Sequence, residues 1–330
     1  MKNSTVRNSI TEDSREQYAL AIDLGGTNTE VAIVSDRGET LARTRVLTRG
    51  YKDIDSFIEA VAQRAGELIE ATGTAGQIVG AGIGAPCLNA ATGCIEAATD
   101  LPWPSPVPLR ELLTKALGIR VEAVNDANAA AAGEARYGAV KGMKNFVMLT
   151  LGTGVGGGVM CDGHLLSGRS GFAAELGHVI VNNGEGRMCG CGRRDCLQTY
   201  GSASGVVTTA RRLLEERPEQ PSMLREMDME ALTAADVSEA ADCGDALALE
   251  VWRRTGQRLG EACASFAAFA DPEAFVFFGG VARAFPHFAE ALRESFNRNA
   301  LHLYSGRVQM LASTLESADA ALLGAAALIL

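Results

Sequence analysis

Residues 22–34 read IDLGGTNTEVAIV, and residues 149–160 read LTLGTGVGGGVM. Each is an apolar run, a glycine turn and a second apolar run, the pattern of a strand–turn–strand hairpin. The repetition predicts two lobes of similar architecture, each presenting a glycine hairpin to a shared cleft. Glycine hairpins also arise from turn geometry alone, so the rest of the chain has to support that reading.

The support comes from alternation. YALAID (18–23), IVGAGIGAP (78–86), RVEAVNDAN (120–128) and AFVFFGG (274–280) contain buried strands. Between them lie helical patterns over 55–72, 109–117 and the alanine-rich 126–136. Several helices follow within 202–270, and a small-residue helix over 319–330 has room to pack closely on another element. Strands alternating with helices define an α/β chain. At 330 residues it is too long for one simple core.

Composition excludes some functions. Hydrophobic residues make up 47% and charged residues 21%, with a net charge of -10 and a pI near 5.0. No basic stripe is visible, which argues against a nucleic-acid partner. The polar residues 1–17 read as a flexible arm without the apolar run of a signal peptide. The last apolar stretch, 320–330, is too short to span a bilayer, so no membrane partner is expected. The chain reads as cytoplasmic, and Cys87, Cys94, Cys161, Cys243 and Cys263 are expected to be reduced and mostly packed.

Chemistry concentrates in four places. His178 with Cys189, Cys191 and Cys196 can close a tetrahedral shell around a structural Zn²⁺, ordering a polar loop; the alternative is a set of scattered buried thiols. The hairpins can turn several N–H groups toward phosphates, with Thr27 and Thr153 adding hydroxyls. Asp23, at a strand end, can hold Mg²⁺ through water, although DLGGTN alone is also an ordinary tight turn. Asn125-Asp126 sits where a strand meets a helix, the usual position for a site in an open α/β sheet, yet Asp126 also reads as an N-cap. Glu134 either shares a helix face with Asp126 or is a solvated charge. The G-x-G-x-x-G at 152–157 lies in a hairpin rather than opening a helix, so it is not a dinucleotide fingerprint.

In order and spacing, DLGGTN, VNDANAAAAGE, LGTGVGGG, ELGH and CGCGRRDC resemble the ROK family of sugar kinases, closest to its bacterial glucokinase branch. The resemblance runs from Asp23 to the C-terminus. It implies a two-domain actin-like, ribonuclease H-like α/β fold. The small domain would span 18–136, completed by the C-terminal helix 312–330, and the large domain 137–311, with the zinc loop at 178–196. ATP would lie in the interdomain cleft. Asp23 with Mg²⁺, Gly25, Gly26 and Thr27, and Gly152, Thr153 and Gly154 would serve its phosphates, with Gly279 and Gly280 on the adenosine side. Asp126 would be the catalytic base toward the sugar's primary hydroxyl. Gly84, Asn125, Asp126, Glu175 and His178 would line the sugar pocket, and a homodimer or tetramer would be the assembly.

Two departures from the family pattern stand out. Asp195 replaces a glycine before the last zinc cysteine, a change expected to affect only the turn. Gln198 replaces a glutamate that contacts the sugar, which weakens or shifts sugar preference because hydrogen bonds to charged groups are the stronger kind. Glucose is the leading substrate, with N-acetylmannosamine, N-acetylglucosamine or fructose as alternatives. A non-catalytic sugar sensor or repressor is the different-class alternative, although 17 residues before Tyr18 are too few for a helix-turn-helix domain.

Overall fold

The computed structural model describes residues 16–96, 101–181, 186–315 and 319–330, so nearly all of the expected arm at 1–17 lies outside the described residues. In chain order the elements of the first lobe are β1 (Tyr18–Leu24), β2 (Asn28–Ser35), β3 (Thr40–Leu47), α1 (Ile54–Thr72), β4 (Ile78–Ala85), β5 (Leu88–Asn89), β6 (Cys94–Ile95), α2 (Leu109–Leu117), β7 (Val121–Asn125) and α3 (Asp126–Tyr137). Then follow β8 (Phe146–Leu151), β9 (Val155–Cys161), β10 (His164–Leu165), α4 (Gln198–Gly201), α5 (Ala203–Glu216), α6 (Ala234–Asp242), α7 (Ala246–Ala270), β11 (Ala274–Phe278), α8 (Phe285–Asn299), β12 (Gln309–Ala312) and α9 (Ala320–Ala327).

The expected echo is present at the level of topology. One five-stranded sheet runs β3-β2-β1-β4-β7 and the other β10-β9-β8-β11-β12. In each, the first hairpin is antiparallel and the two following pairings are parallel. This is the two-domain actin-like fold of the α/β class. Among the described residues no helix is long and apolar enough to cross a membrane.

Each sheet buries its faces against helices. Phe57, Val61 and Leu113 of α1 and α2 close one face of the first sheet. Its other face carries Ala19, Ala21, Ala32 and Val34, covered by Leu322, Leu323, Ala325 and Ala326 of α9. Small residues on both sides permit close approach. A Cβ on Gly324 would lie 2.4 Å from the Ala129 carbonyl oxygen of α3, so the two helices cross backbone against backbone. On its other side α3 packs Ala130 and Ala131 against Phe146, Met148 and Met160 of the second sheet. The glycine run of β9 makes this possible, because a Cβ on Gly158 would lie 2.6 Å from that of Ala131.

Two expectations are corrected. Glu134 is not a solvated helix charge: it is fully buried, accepts from the Ala139 N–H at 2.8 Å and from the Ser313 hydroxyl. Ala139 lies on the link from α3 to β8 and Ser313 on the link from β12 to α9, so one carboxyl ties both crossings between the lobes. Burial pushes its acidity toward the neutral form, partly offset by these hydrogen bonds. Glu134→Ala leaves both donors unpaired and is expected to cost about 2–4 kcal/mol in chemical denaturation, with Glu134→Gln losing much less. The free cysteines are also less packed than expected. Cys263 is buried, but Cys87, Cys161 and Cys243 are exposed and Cys94 half-buried.

Candidate active site

The strand ends of the first sheet assemble the acidic side of the site. In the register, Asp23 of β1 lies beside Gly84 of β4 and opposite Glu30 of β2, and Asn125 of β7 lies beside Ala85. The N-cap reading moves by one residue. Asn125 is the cap of α3, its side-chain oxygen accepting from the Asn128 N–H at 2.7 Å. Asp126 is therefore the first helical residue and spends one oxygen on the Ala127 N–H at 2.8 Å. Burial raises its pKa, while that N–H and its own backbone N–H act in the opposite sense.

Asp23 is more strongly perturbed. Burial, then the nearby Asp126 and Glu30 carboxylates, push it from an ordinary 3.8 up to about 6. A raised folded-state value means that the native protein binds more protons than the unfolded chain between those pH values. Its contribution therefore falls as pH rises through that window, and at pH 7 the charge destabilises the ligand-free fold. Asp23→Asn is expected to stabilise that form by about 2 kcal/mol at pH 7, and by less at pH 5. Calorimetry at the two pH values checks this; an unchanged Tm at pH 7 refutes it. A half-buried carboxylate near two others is also a fit location for a divalent cation.

The two hairpins share a feature. Gly25 N–H bonds Asn28 O at 3.0 Å and Gly152 N–H bonds Gly154 O at 3.0 Å. Among the described residues the N–H groups of Gly26, Thr27, Thr153 and Gly154 make no bond within the protein. Thr48 donates to Gly25 O at 2.8 Å, bracing the first turn. Gly279 follows β11 at φ +103°, where a Cβ would lie 2.6 Å from Leu151 O. It borders a cavity of about 650 Å³ that Phe285 and Ser313 also line. Gly280 follows it, ahead of the short helical turn Val281–Ala284.

A second cavity, of about 570 Å³, lies between the lobes. Asn125 and Asp126 line it from the first lobe, and Gly156, Phe172 and Glu175 from the second. Sequence reasoning missed Glu96, which joins this lining and accepts from the Asn89 amide at 3.0 Å. Gly84 is not in the lining; a Cβ there would press on Ala129 of α3 at 3.2 Å.

His178 and Gln198 stand with the cysteines. The ligand atoms of His178, Cys189, Cys191 and Cys196 all lie within 4.8 Å of one another. Cys191 and Cys196 sulfurs are 3.6 Å apart, and Cys189 Sγ is 3.8 Å from His178 Nδ1. Tetrahedral zinc–thiolate and zinc–imidazole bonds imply edges of about 3.5–3.8 Å, so the donor set fits that ion. Hydrogen bonds from Arg193 bring the Cys191 thiol down to about 6, whereas burial pushes Cys196 up to about 12. The Gln198 amide donates to Cys189 Sγ at 3.0 Å.

Asp195 does more than alter a turn, correcting that expectation. It adopts φ +57°, and its carboxylate accepts from the Tyr200 hydroxyl at 2.5 Å and the Arg187 N–H at 3.0 Å. Arg187 lies over the Tyr200 ring, 4.3 Å from its centroid, and donates to Thr199 O at 2.9 Å. This network fastens the cysteine loop to the helices behind it; residues 182–185 of the loop are outside the described residues.

Comparison with known proteins identifies the family. A glucokinase of Thermotoga maritima is 35% identical, covering 94% of this chain and 96% of its own. One of Halalkalibacterium halodurans is 33% identical, covering 94% of each chain. The crystal structure of a ROK family glucokinase from Streptomyces griseus, in complex with glucose and AMPPNP, superposes with a TM-score of 0.74. It is 30% identical in sequence, covering 94% of this chain and 99% of that one. The ROK family profile matches residues 19–330, and the chain belongs to the ROK family.

Proposed function

We propose that this protein is an ATP-dependent hexose kinase that phosphorylates the 6-hydroxyl of glucose. The observation that carries the reading is the interlobe cavity in which Asp126 stands with Asn125, Glu96 and Glu175, beside two hairpins with unspent N–H groups. The similarity to glucokinases over 94% of the chain supports the substrate class.

In this reading Asp126 accepts the proton of the attacking hydroxyl. The sugar oxygen forms a bond to the γ-phosphorus of ATP, the bond to the β–γ bridging oxygen breaks, and its electron pair leaves with ADP. The hairpin N–H groups of Gly26, Thr27, Thr153 and Gly154 hold phosphate oxygens, and Gly279-Gly280 border the nucleoside. Asp23 would hold the Mg²⁺ carried with the nucleotide, which would supply charge neutralisation. Zn²⁺ at His178, Cys189, Cys191 and Cys196 supplies a cross-link rather than chemistry. Such a cross-link would steady Glu175, and with Nδ1 toward the ion His178 would keep Nε2 for a sugar hydroxyl. Exclusion of water on closure keeps the phosphoryl group from hydrolysis.

The test is Mg²⁺-dependent ADP release on a panel of glucose, mannose, fructose, N-acetylglucosamine and N-acetylmannosamine. Glucose-dependent release is expected. The Gln198 carboxamide, turned to Cys189, favours one second reading, a kinase of N-acetylated sugars or fructose, which turnover only with those sugars would identify. No turnover with any sugar refutes the kinase.

A further inference from the structure

Helix α3 begins at Asp126 and ends, about 17 Å further along its axis, at a third cavity. This one, of about 780 Å³, lies on the face away from the glycine hairpins. The β2–β3 turn brings Asp36 and Arg37, the last turn of α3 brings Arg136 and Tyr137, and the link to β8 brings Lys141. His164 and Leu165 of β10 close it from the second lobe, and Ala327-Leu328 from the end of α9.

Two properties distinguish it from ordinary surface. The first is charge. The chain carries 40 acidic and 30 basic residues, yet three permanent cations and one carboxylate line this cavity. Among the described residues none of Arg37, Arg136 and Lys141 is paired with a carboxylate. Arg136 donates Nε to the Tyr137 hydroxyl at 3.0 Å, which leaves its terminal nitrogens for another acceptor. The second is an orphan acceptor: Asp36 Oδ1 is buried with no hydrogen-bond partner. Asp36 lines the cavity, and because Oδ1 is closed off, Oδ2, which also has no hydrogen-bond donor among the described residues, is the oxygen that a ligand hydroxyl can reach.

We propose that this cavity is a second ligand site, for a small phosphate monoester that also carries hydroxyls. Arg37, Arg136 and Lys141 take the phosphate, and Asp36 accepts from a hydroxyl. Naming a hexose 6-phosphate as the probe rests on the kinase reading; the cavity and its charges do not. An occupant joins the β2–β3 turn of one lobe to the interlobe link at Lys141. It therefore resists relative motion of the lobes and lowers kcat without changing the KM for sugar.

The experiment is calorimetric titration of the full chain with glucose 6-phosphate and, separately, inorganic phosphate. The cleft is first filled with glucose and a non-hydrolysable ATP analogue. Saturable binding of glucose 6-phosphate is expected, weakened about tenfold or more in the Arg37→Glu/Lys141→Glu double variant, whose side chains lie at the surface away from the catalytic cleft. Arg136→Gln is the second probe, should the double variant fold poorly. Binding that disappears once the cleft is filled, or that both variants retain unchanged, overturns the proposal. Inorganic phosphate binding as tightly as the sugar phosphate overturns the role of Asp36. A chain that phosphorylates no sugar but binds the monoester through these cations loses the kinase reading and keeps this site.

Discussion

Asp126→Asn is expected to lower kcat by about 10²–10⁴-fold while leaving sugar affinity within a few-fold of the original. The substitution keeps the shape of the side chain and an oxygen that can still accept from the Ala127 N–H. It removes only the capacity to take a proton. Because Asn125, not Asp126, caps α3, the helix start does not depend on the carboxylate. Loss of turnover in the variant therefore reads chemistry rather than folding. Desolvation in the interlobe cleft raises the Asp126 pKa, the direction that favours a base. The measurement is kcat and KM beside calorimetric sugar binding. Turnover within threefold of the parent removes Asp126 from the base role. Loss of binding in parallel with turnover would instead make it a positioning residue.

Cys191→Ser is expected to weaken zinc retention on the order of 10²-fold or more in chelator competition, since four ligands share a binding free energy of about 10–16 kcal/mol. Cys191 is exposed, so the serine opens no cavity and the effect reports on the metal shell. Glu175 lies three residues before His178, on the segment that a zinc shell would tie down, and it lines the interlobe cavity. The KM for sugar is therefore expected to rise and Tm to fall together. The three thiols must lose their protons when the ion binds, so zinc retention is expected to weaken as pH falls. A variant that has lost its zinc but keeps the parental sugar KM would sever the link between metal and recognition.

Local pattern carried much of this molecule. The glycine hairpins, the strand run into α3 and the His–Cys₃ set were legible because each depends on residues close in sequence. The repeated hairpin suggested two lobes, but the placement of these groups around a shared cleft came from the resemblance to the ROK family. Other features were beyond reach for the same reason. The Glu134–Ser313 contact joins residues 179 apart, and no periodicity marks such a pair. Glu96 enters the cavity through the small β5–β6 ribbon, whose strands are too short to register as a pattern. Arg187 and Asp195 look like ordinary loop charges, and their contacts with Tyr200, which hold half-buried Arg187 and buried Asp195 in place, are invisible to the sequence. The cysteine exposures depend on which helix faces meet, and the cysteine spacing carries no such information.

The α9 helix covers the Ala19, Ala21, Ala32 and Val34 face of the first sheet, which has a consequence for synthesis. The ribosome completes β2 at Ser35 but does not reach Ala320 until 285 residues later. At about 5–20 residues per second, that apolar face waits roughly 15–60 s for its own cover. The alanines and the absence of large side chains on that face reduce its stickiness during the wait. The nascent first lobe is still an expected client for chaperones, and its final docking step is gated by translation rather than by diffusion.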